Sequence, residues 1–171
     1  MTITINGSGT IGGLSVGGLP DGTIVQAELA TGVGGTGPAV SAYASTGTAV
    51  SASTWTKITF DTESFDTNSN FSSSRFTPSV AGYYDISGCI GVSSTAAQNI
   101  WIAIYKNGAV WQYGTLMGQP AGVGGLNNMA GLVYLNGSTD YVEIYGLSST
   151  AQTLSTGAAV TYFNAALVRA A

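Results

Sequence analysis

Histidine does not occur in this chain of 171 residues. Its absence removes the side chain that most often serves as general base, proton shuttle or metal ligand near neutral pH. Ser-His-Asp, Cys-His and histidine-bound zinc arrangements go with it. Charge is scarce as well: Asp, Glu, Lys and Arg together make up 7% of the chain, against about 25% in an ordinary soluble protein. The net charge is −4, so there is no basic patch to neutralise phosphates, and nucleic acid is set aside as a partner. Cys89 is the one cysteine. It can form no intrachain disulfide, leaves the redox compartment open, and reads as a small buried hydrophobe.

Long apolar runs are missing too. Mean hydropathy is positive, yet MAGLVYL at 129–135 falls far short of the roughly 20 residues that span a bilayer, so no membrane insertion is expected. MTITINGSG at the start has neither the basic region nor the continuous apolar stretch of a signal peptide. The expectation is a soluble chain without a secretion signal.

Glycine, serine, threonine and alanine fill the space left by the missing charges. Residues 1–37 hold eleven glycines and almost no large side chains, a composition that cannot bury a core of its own. TITIN alternates like a short strand, and TIVQAELAT at 23–31 is a possible helix after the turn at Pro20-Asp21-Gly22. The sparse apolar residues Ile3, Ile5, Leu14, Val16, Leu19, Ile24, Val25 and Leu29 are useful only against a partner, which makes them candidate anchor residues. Gly7-Ser8-Gly9-Thr10-Ile11-Gly12 matches the dinucleotide-binding spacing, but no helix start follows to hold a pyrophosphate, so no cofactor is assigned.

From residue 38 onward the chain reads as strand after strand: AVSAYAS at 39–45, TWTKITF at 54–60, RFTP at 75–78, YYDISGCIGV at 83–92, NIWIAIY at 99–105, AVWQYGTL at 109–116, NMAGLVYL at 128–135, YVEIYGL at 141–147 and AVTYFNAALV at 159–168. Turn residues separate them, which predicts an all-β sandwich rather than βα units. A body of this size can bury about 70% of its unfolded surface without a metal or disulfide. Asn107-Gly108 predicts a hairpin with a type I′ turn, and Asn136-Gly137 predicts a similar junction. Ile100, Ile102 and Ile104 alternate with Trp101, Ala103 and Tyr105, so the strand is apolar on both faces and its outer face needs a cover.

Few residues suggest chemistry. Asp61, Glu63 and Asp66, with Asn68 and Asn70, form an acidic cluster of a kind that can hold calcium, although the EF-hand order is absent and acids between aromatic strands are more often a solvated loop. Asp61 and Glu63 lack any recognisable cleft in which to work as a glycosidase pair. Trp101, Tyr105, Trp111 and Tyr113 lie near the hairpin, where they can pack a core or subunit contact, stack on sugar or anchor a protein. Sequons begin at Asn6, Asn70 and Asn136 and matter only in a secreted eukaryotic chain.

The stretch FDTESFDTNSNFSSSRFTPSVAGYY at 60–84 resembles the signature of the C1q-like family, part of the C1q and tumour-necrosis-factor superfamily of trimeric jelly-roll domains. Phe60, Asp66, Phe71, Phe76, Gly82 and Tyr84 fill the signature's slots. The spacing between Phe71 and Phe76 is short, and Ile86 and Gly88 stand where aromatics are usual. IAIYKNG at 102–108 resembles the family's hairpin, and YFNAALV at 162–168 resembles its closing strand, with Ala165 in place of the usual Gly. The resemblance covers roughly 39–169 and implies a jelly-roll β-sandwich of about ten antiparallel strands. It further implies a homotrimer, for which the two-sided apolar strands offer Trp101, Tyr105, Tyr134, Tyr145, Phe163 and Leu167 as interface candidates. Some family members bind calcium near the trimer axis.

Residues 1–37 in turn are similar to the glycine-rich leaders of phage tail-fibre and other virion proteins. Together the two resemblances imply a non-enzymatic bacteriophage virion protein: a homotrimeric knob at 38–171 held by an arm at 1–37. The short chain favours a capsid decoration, or cement, protein whose arm meets the major capsid protein. The alternative is a tail-fibre or receptor-binding tip that recognises a host surface glycan or protein. Either reading places the chain at the surface of the viral particle. A secreted C1q-like lectin is disfavoured by the missing signal peptide and collagen-like repeat.

Overall fold

The computed structural model describes residues 37–93 and 96–171. The eight anchor candidates from Ile3 to Leu29, the glycine motif and the possible helix at 23–31 all lie outside the described residues. Among those described there is no helix, and there are thirteen strands: β1 (Ala39–Tyr43), β2 (Ala49–Val50), β3 (Thr56–Lys57), β4 (Thr62–Asp66), β5 (Phe71–Ser72), β6 (Arg75–Phe76), β7 (Ala81–Ser93), β8 (Gln98–Lys106), β9 (Ala109–Gln119), β10 (Gly124–Asn136), β11 (Val142–Ser148), β12 (Gln152–Thr153) and β13 (Tyr162–Ala170). Five of these span only two residues, which is why the total exceeds the ten expected.

The long strands form two facing sheets. The first has the order β10-β7-β13-β1-β4, and the second β5-β6-β11-β8-β9 with β3 beside β11. All pairings between strands are antiparallel. The expected all-β jelly roll is therefore the observed fold.

Local chemistry explains most boundaries. Asn107 and Gly108 take φ values of 52° and 79°, the two left-handed residues that a type I′ turn demands, and they join β8 to β9 in register Lys106↔Ala109. Asn136-Gly137 behaves differently, and the expected hairpin there is corrected. β10 and β11 belong to opposite sheets, so the chain crosses the sandwich. The Asn136 carboxamide oxygen accepts hydrogen bonds from the backbone N–H groups of Ser138, Thr139 and Asp140, replacing the ladder partners that a hairpin would have supplied.

The acidic stretch expected to be a solvated loop contains β4, an edge strand on β1 in which Phe65 faces Ser41. Acidic side chains suit an edge, where they discourage pairing with another chain. TWTKITF, by contrast, contributes only the two residues of β3.

The core lies between the sheets and centres on Phe163, whose ring stands 5.9 Å from Phe60, 5.2 Å from Phe71 and 6.3 Å from Phe76. Phe76 meets Tyr84 edge-on at 5.4 Å. Ile86, Ile102, Ile104, Ile144 and Val133 fill the rest. Tyr84 is buried and donates a 2.7 Å hydrogen bond to the Val80 carbonyl, and burial pushes its phenol up to about 12. Gly82 is dictated by its neighbour. A Cβ there would lie 2.5 Å from the Arg169 carbonyl oxygen and 2.6 Å from Leu167 Cδ1, where β13 slips register between Leu167 and Arg169.

Two outcomes follow from this core. Gly82→Ala drives a methyl into backbone and lowers stability by about 1–3 kcal/mol, read from denaturant melts; an unchanged midpoint refutes the clash. Tyr84 ionises near 10 in the unfolded chain and only near 12 when folded, so its contribution is whole below pH 10 and is lost as pH rises towards about 12. The stability gap between wild type and Tyr84→Phe, about 1 kcal/mol at neutral pH, shrinks across that window. A gap that stays constant with pH contradicts this assignment.

Candidate functional site

The acids of the signature act on their own backbone. Asp61 accepts hydrogen bonds from the N–H groups of Ser45 at 2.6 Å and Thr46 at 3.0 Å. The Ser45 bond is the main reason its carboxyl sits far below the usual range. Asp66 accepts from Phe71 N at 2.7 Å and Asn68 N at 3.3 Å, which closes the turn that delivers Phe71 to the core. Glu63 is exposed on β4. Among the described residues no three His, Cys, Asp or Glu side chains gather as metal ligands. Of the three calcium candidates, Asp61 and Asp66 cap separate turns and Glu63 points to solvent. Cys89 is buried in β7, and burial raises its thiol pKa, which makes it a poor nucleophile.

A second ionic group involves Glu143, a β11 carboxylate that is only 3% exposed. Its Oε1 receives Lys57 Nζ at 3.1 Å and Arg75 Nε at 2.9 Å. Lys57 also donates to the Ser73 carbonyl, and the Arg75 guanidinium lies 3.8 Å from the centre of the Tyr141 ring. Two cations on one carboxylate tie β3, β6 and β11 together.

Two apolar surfaces remain. On the outer face of the first sheet, Tyr83, Leu132, Tyr134 and Val168 are 39–57% exposed, and the rings of Tyr83 and Tyr134 stand 5.4 Å apart. Cross-strand rows continue this face through Ala130, Ser87 and Asn164 to Ser41, and through Leu132, Asp85 and Ala166 to Ala39. Asp85 lies within those rows, and the exposed Arg169 stands opposite Tyr83. Beside this face runs β9, an edge strand with no charged residue over its eleven positions, where such strands normally carry one to repel other chains. Trp111 is exposed there, with the Lys106 ammonium 5.5 Å from its ring centre and 5.7 Å from that of Tyr134.

The other surface is a cleft of about 510 Å³ on the outer face of the second sheet, lined by Trp55, Trp101, Tyr113, Gly114, Leu116 and Leu147. Trp55 stands 5.7 Å from Tyr113 and 6.1 Å from Tyr105, which stacks on Tyr145 at 3.8 Å.

The six interface candidates are thus distributed over three places. Tyr134 is on the outer face of the first sheet, and Trp101, Tyr105 and Tyr145 are on that of the second. Phe163 and Leu167 are buried in the chain's own core, so their placement on an interface is corrected: alternation along β13 turns these two inward and Val168 outward. Sequence reasoning missed Tyr83, Leu132, Val168, Trp55, Leu116 and Leu147. The alternation Leu132-Val133-Tyr134-Leu135 carried the signal for one of these, because residues two apart share a face.

No protein-family model and no curated protein matches the sequence. Solved structures do match. The globular domain of the zebrafish complement 1qA protein is 18% identical, with 78% of this chain and 99% of that one covered at a TM-score of 0.61. Murine APRIL, crystallised at pH 5.0, is 11% identical, with 77% and 98% covered and a TM-score of 0.58. The chain has the C1q and tumour-necrosis-factor jelly-roll fold. At these identities the likeness concerns the course of the backbone.

Within this jelly roll the Glu143 cluster makes an ordered prediction. Glu143→Gln removes the buried charge and leaves two half-exposed cations free to hydrate, costing about 1–2 kcal/mol. Lys57→Ala combined with Arg75→Ala strands the carboxylate and costs about 3 kcal/mol or more. Denaturant unfolding checks the order, and the reverse ranking contradicts it.

Proposed function

We propose that this chain is a homotrimeric, non-enzymatic structural knob of a bacteriophage virion, anchored through residues 1–37 and serving as a capsid decoration protein. The observation that carries the trimer is the apolar patch of Tyr83, Leu132, Tyr134 and Val168 on the outer face of the first sheet, with Asp85 and Arg169 as its neighbouring charges, lying next to the uncharged edge β9. A soluble monomer seldom leaves so large an apolar surface without use. Setting the Trp111 and β9 edge of one copy against the Tyr83, Leu132, Tyr134 and Val168 face of the next makes a head-to-tail contact, which forms a closed ring when the rotation between copies is a simple fraction of a turn. The C1q-like resemblance supplies the number three, and the fold shared with the complement 1qA domain and APRIL supports it. The virion assignment rests on the resemblance of residues 1–37 to glycine-rich phage leaders.

A second placement, at a tail-fibre tip that meets a host surface glycan or protein, is favoured by one observation: the aromatic cleft lies on the outer face of the second sheet, away from the Tyr83, Leu132, Tyr134 and Val168 patch.

Light scattering on the purified chain is expected to read three copies at micromolar concentration. Leu132→Asp combined with Tyr83→Asp brings like charges into the interface, which costs several kcal/mol and yields monomers with an unchanged β-type circular dichroism spectrum. A monomeric wild type, or a doubly charged variant that still reads as a trimer, overturns the proposal. Placement is tested separately: deletion of residues 1–37 abolishes incorporation into particles, loss of the protein lowers capsid stability if it decorates the shell, and isolated knobs block adsorption if it is a tip.

A further inference from the structure

The cleft on the second sheet is the feature that favours the tip placement, and its biological role rests on that second reading; Trp55, Trp101 and Leu147 lie on the opposite side of the sandwich from the Tyr83 and Leu132 face, while Tyr113, Gly114 and Leu116 belong to β9. We propose that the cleft is a binding site for a neutral saccharide, which stacks a sugar ring on Trp55 and Tyr113.

The cleft is made by an irregularity in the sheet. The β8–β9 register pairs Trp101 with Leu116 and Ala103 with Tyr113, so Gly114 and Thr115 together oppose Ile102. Tyr113 and Leu116 are three residues apart and would face opposite sides of a regular strand. The bulge turns both outward, a use that bulges commonly have beside binding sites. Gly114 makes it possible, since a Cβ there would lie 2.7 Å from Ile102 Cγ2 and 2.8 Å from Met129 Cβ. Asn127 Nδ2 fixes the bulged backbone by donating to the carbonyls of Thr115 at 2.9 Å and Ile100 at 3.0 Å.

Hydrogen bonding and charge define the occupant. The indole N–H groups of the half-buried Trp55 and Trp101 make no hydrogen bond to any described residue, although buried Trp usually finds a partner, and Tyr113, 61% exposed, adds a hydroxyl that makes none either. A purely apolar occupant would cover these donors and leave them unpaired, at a cost of about 1–3 kcal/mol for each one buried. No charged side chain lines the cleft, and the nearby Lys57 and Arg75, which leave one positive charge over Glu143, are both engaged by that carboxylate outside the lining. A charged ligand would therefore be desolvated with no counter-charge in contact with it. A pyranose combines what the site asks for: a C–H face for the rings, hydroxyl oxygens for the donors, and no charge. The cleft volume falls within the usual range for small-ligand sites.

The test applies fluorescently labelled full-length protein to an array of neutral and sialylated glycans, followed by titration of tryptophan emission with the best neutral oligosaccharide. Saturable quenching by a neutral glycan is expected, weakened at least tenfold in both Trp55→Ala and Tyr113→Ala, with the light-scattering mass unchanged. Absence of binding to every neutral glycan, selective binding of sialylated ones, or equal binding by the two variants overturns the proposal. So does a change in oligomeric mass on Trp55→Ala, which would make the cleft a contact between copies. A protein that proves monomeric yet binds the glycan refutes the trimer and leaves this site standing.

Discussion

The packing of Phe163 against Phe60, Phe71 and Phe76 joins the closing strand to the opening signature, segments about a hundred residues apart in sequence. Much else rests on that contact. β13 lies between β7 and β1 in the first sheet, so seating Phe163 sets the register of the central strands. The turns capped by Asp61 and Asp66 hold Phe60 and Phe71 in place for it. Aromatic burial of this kind, at about 3–5 kcal/mol for each large side chain, allows the body to dispense with disulfide and metal.

A chain so poor in charge has an unusual distribution of its few ions. Lys57, Arg75 and Glu143 form one group, and Lys106 and Asp140 another at 2.9 Å. The first lies on the second sheet beside Tyr105 and Tyr145, and the second lies at the Asn107-Gly108 end. The proposed occupants, another copy against the first sheet and a sugar in the cleft of the second, would meet patches with no charged side chain among the residues that make them. The two surfaces differ in shape. Regular alternation makes the first broad, and a bulge makes the second concave.

Much of this fold was legible in the residues. The long strands, the Asn107-Gly108 turn and the signature aromatics all showed themselves, because alternation and turn chemistry are local. What failed was whatever depends on a partner distant in sequence. The segment at 62–66 looked like a solvated loop because its acids say nothing of the Ala39–Tyr43 strand beside it. Asn136-Gly137 looked like a hairpin because nothing in the dipeptide says that the chain is about to cross to the other sheet. Phe163 and Leu167 looked like interface residues because two-sided apolarity does not tell which side is inward.

The sequence by itself determined the class of molecule: an all-β body with no histidine chemistry, no basic surface and no disulfide, closed by aromatics at 60–84. Those properties follow from composition and from period-two patterning, which short stretches of chain carry in full. Only the tertiary structure decided that Trp55, from the loop before β3, stands over Tyr113 of β9, and that Tyr113 and Leu116 share a face. Cross-sheet packing and the placement of one bulge set those positions, and both depend on residues brought together from distant parts of the chain.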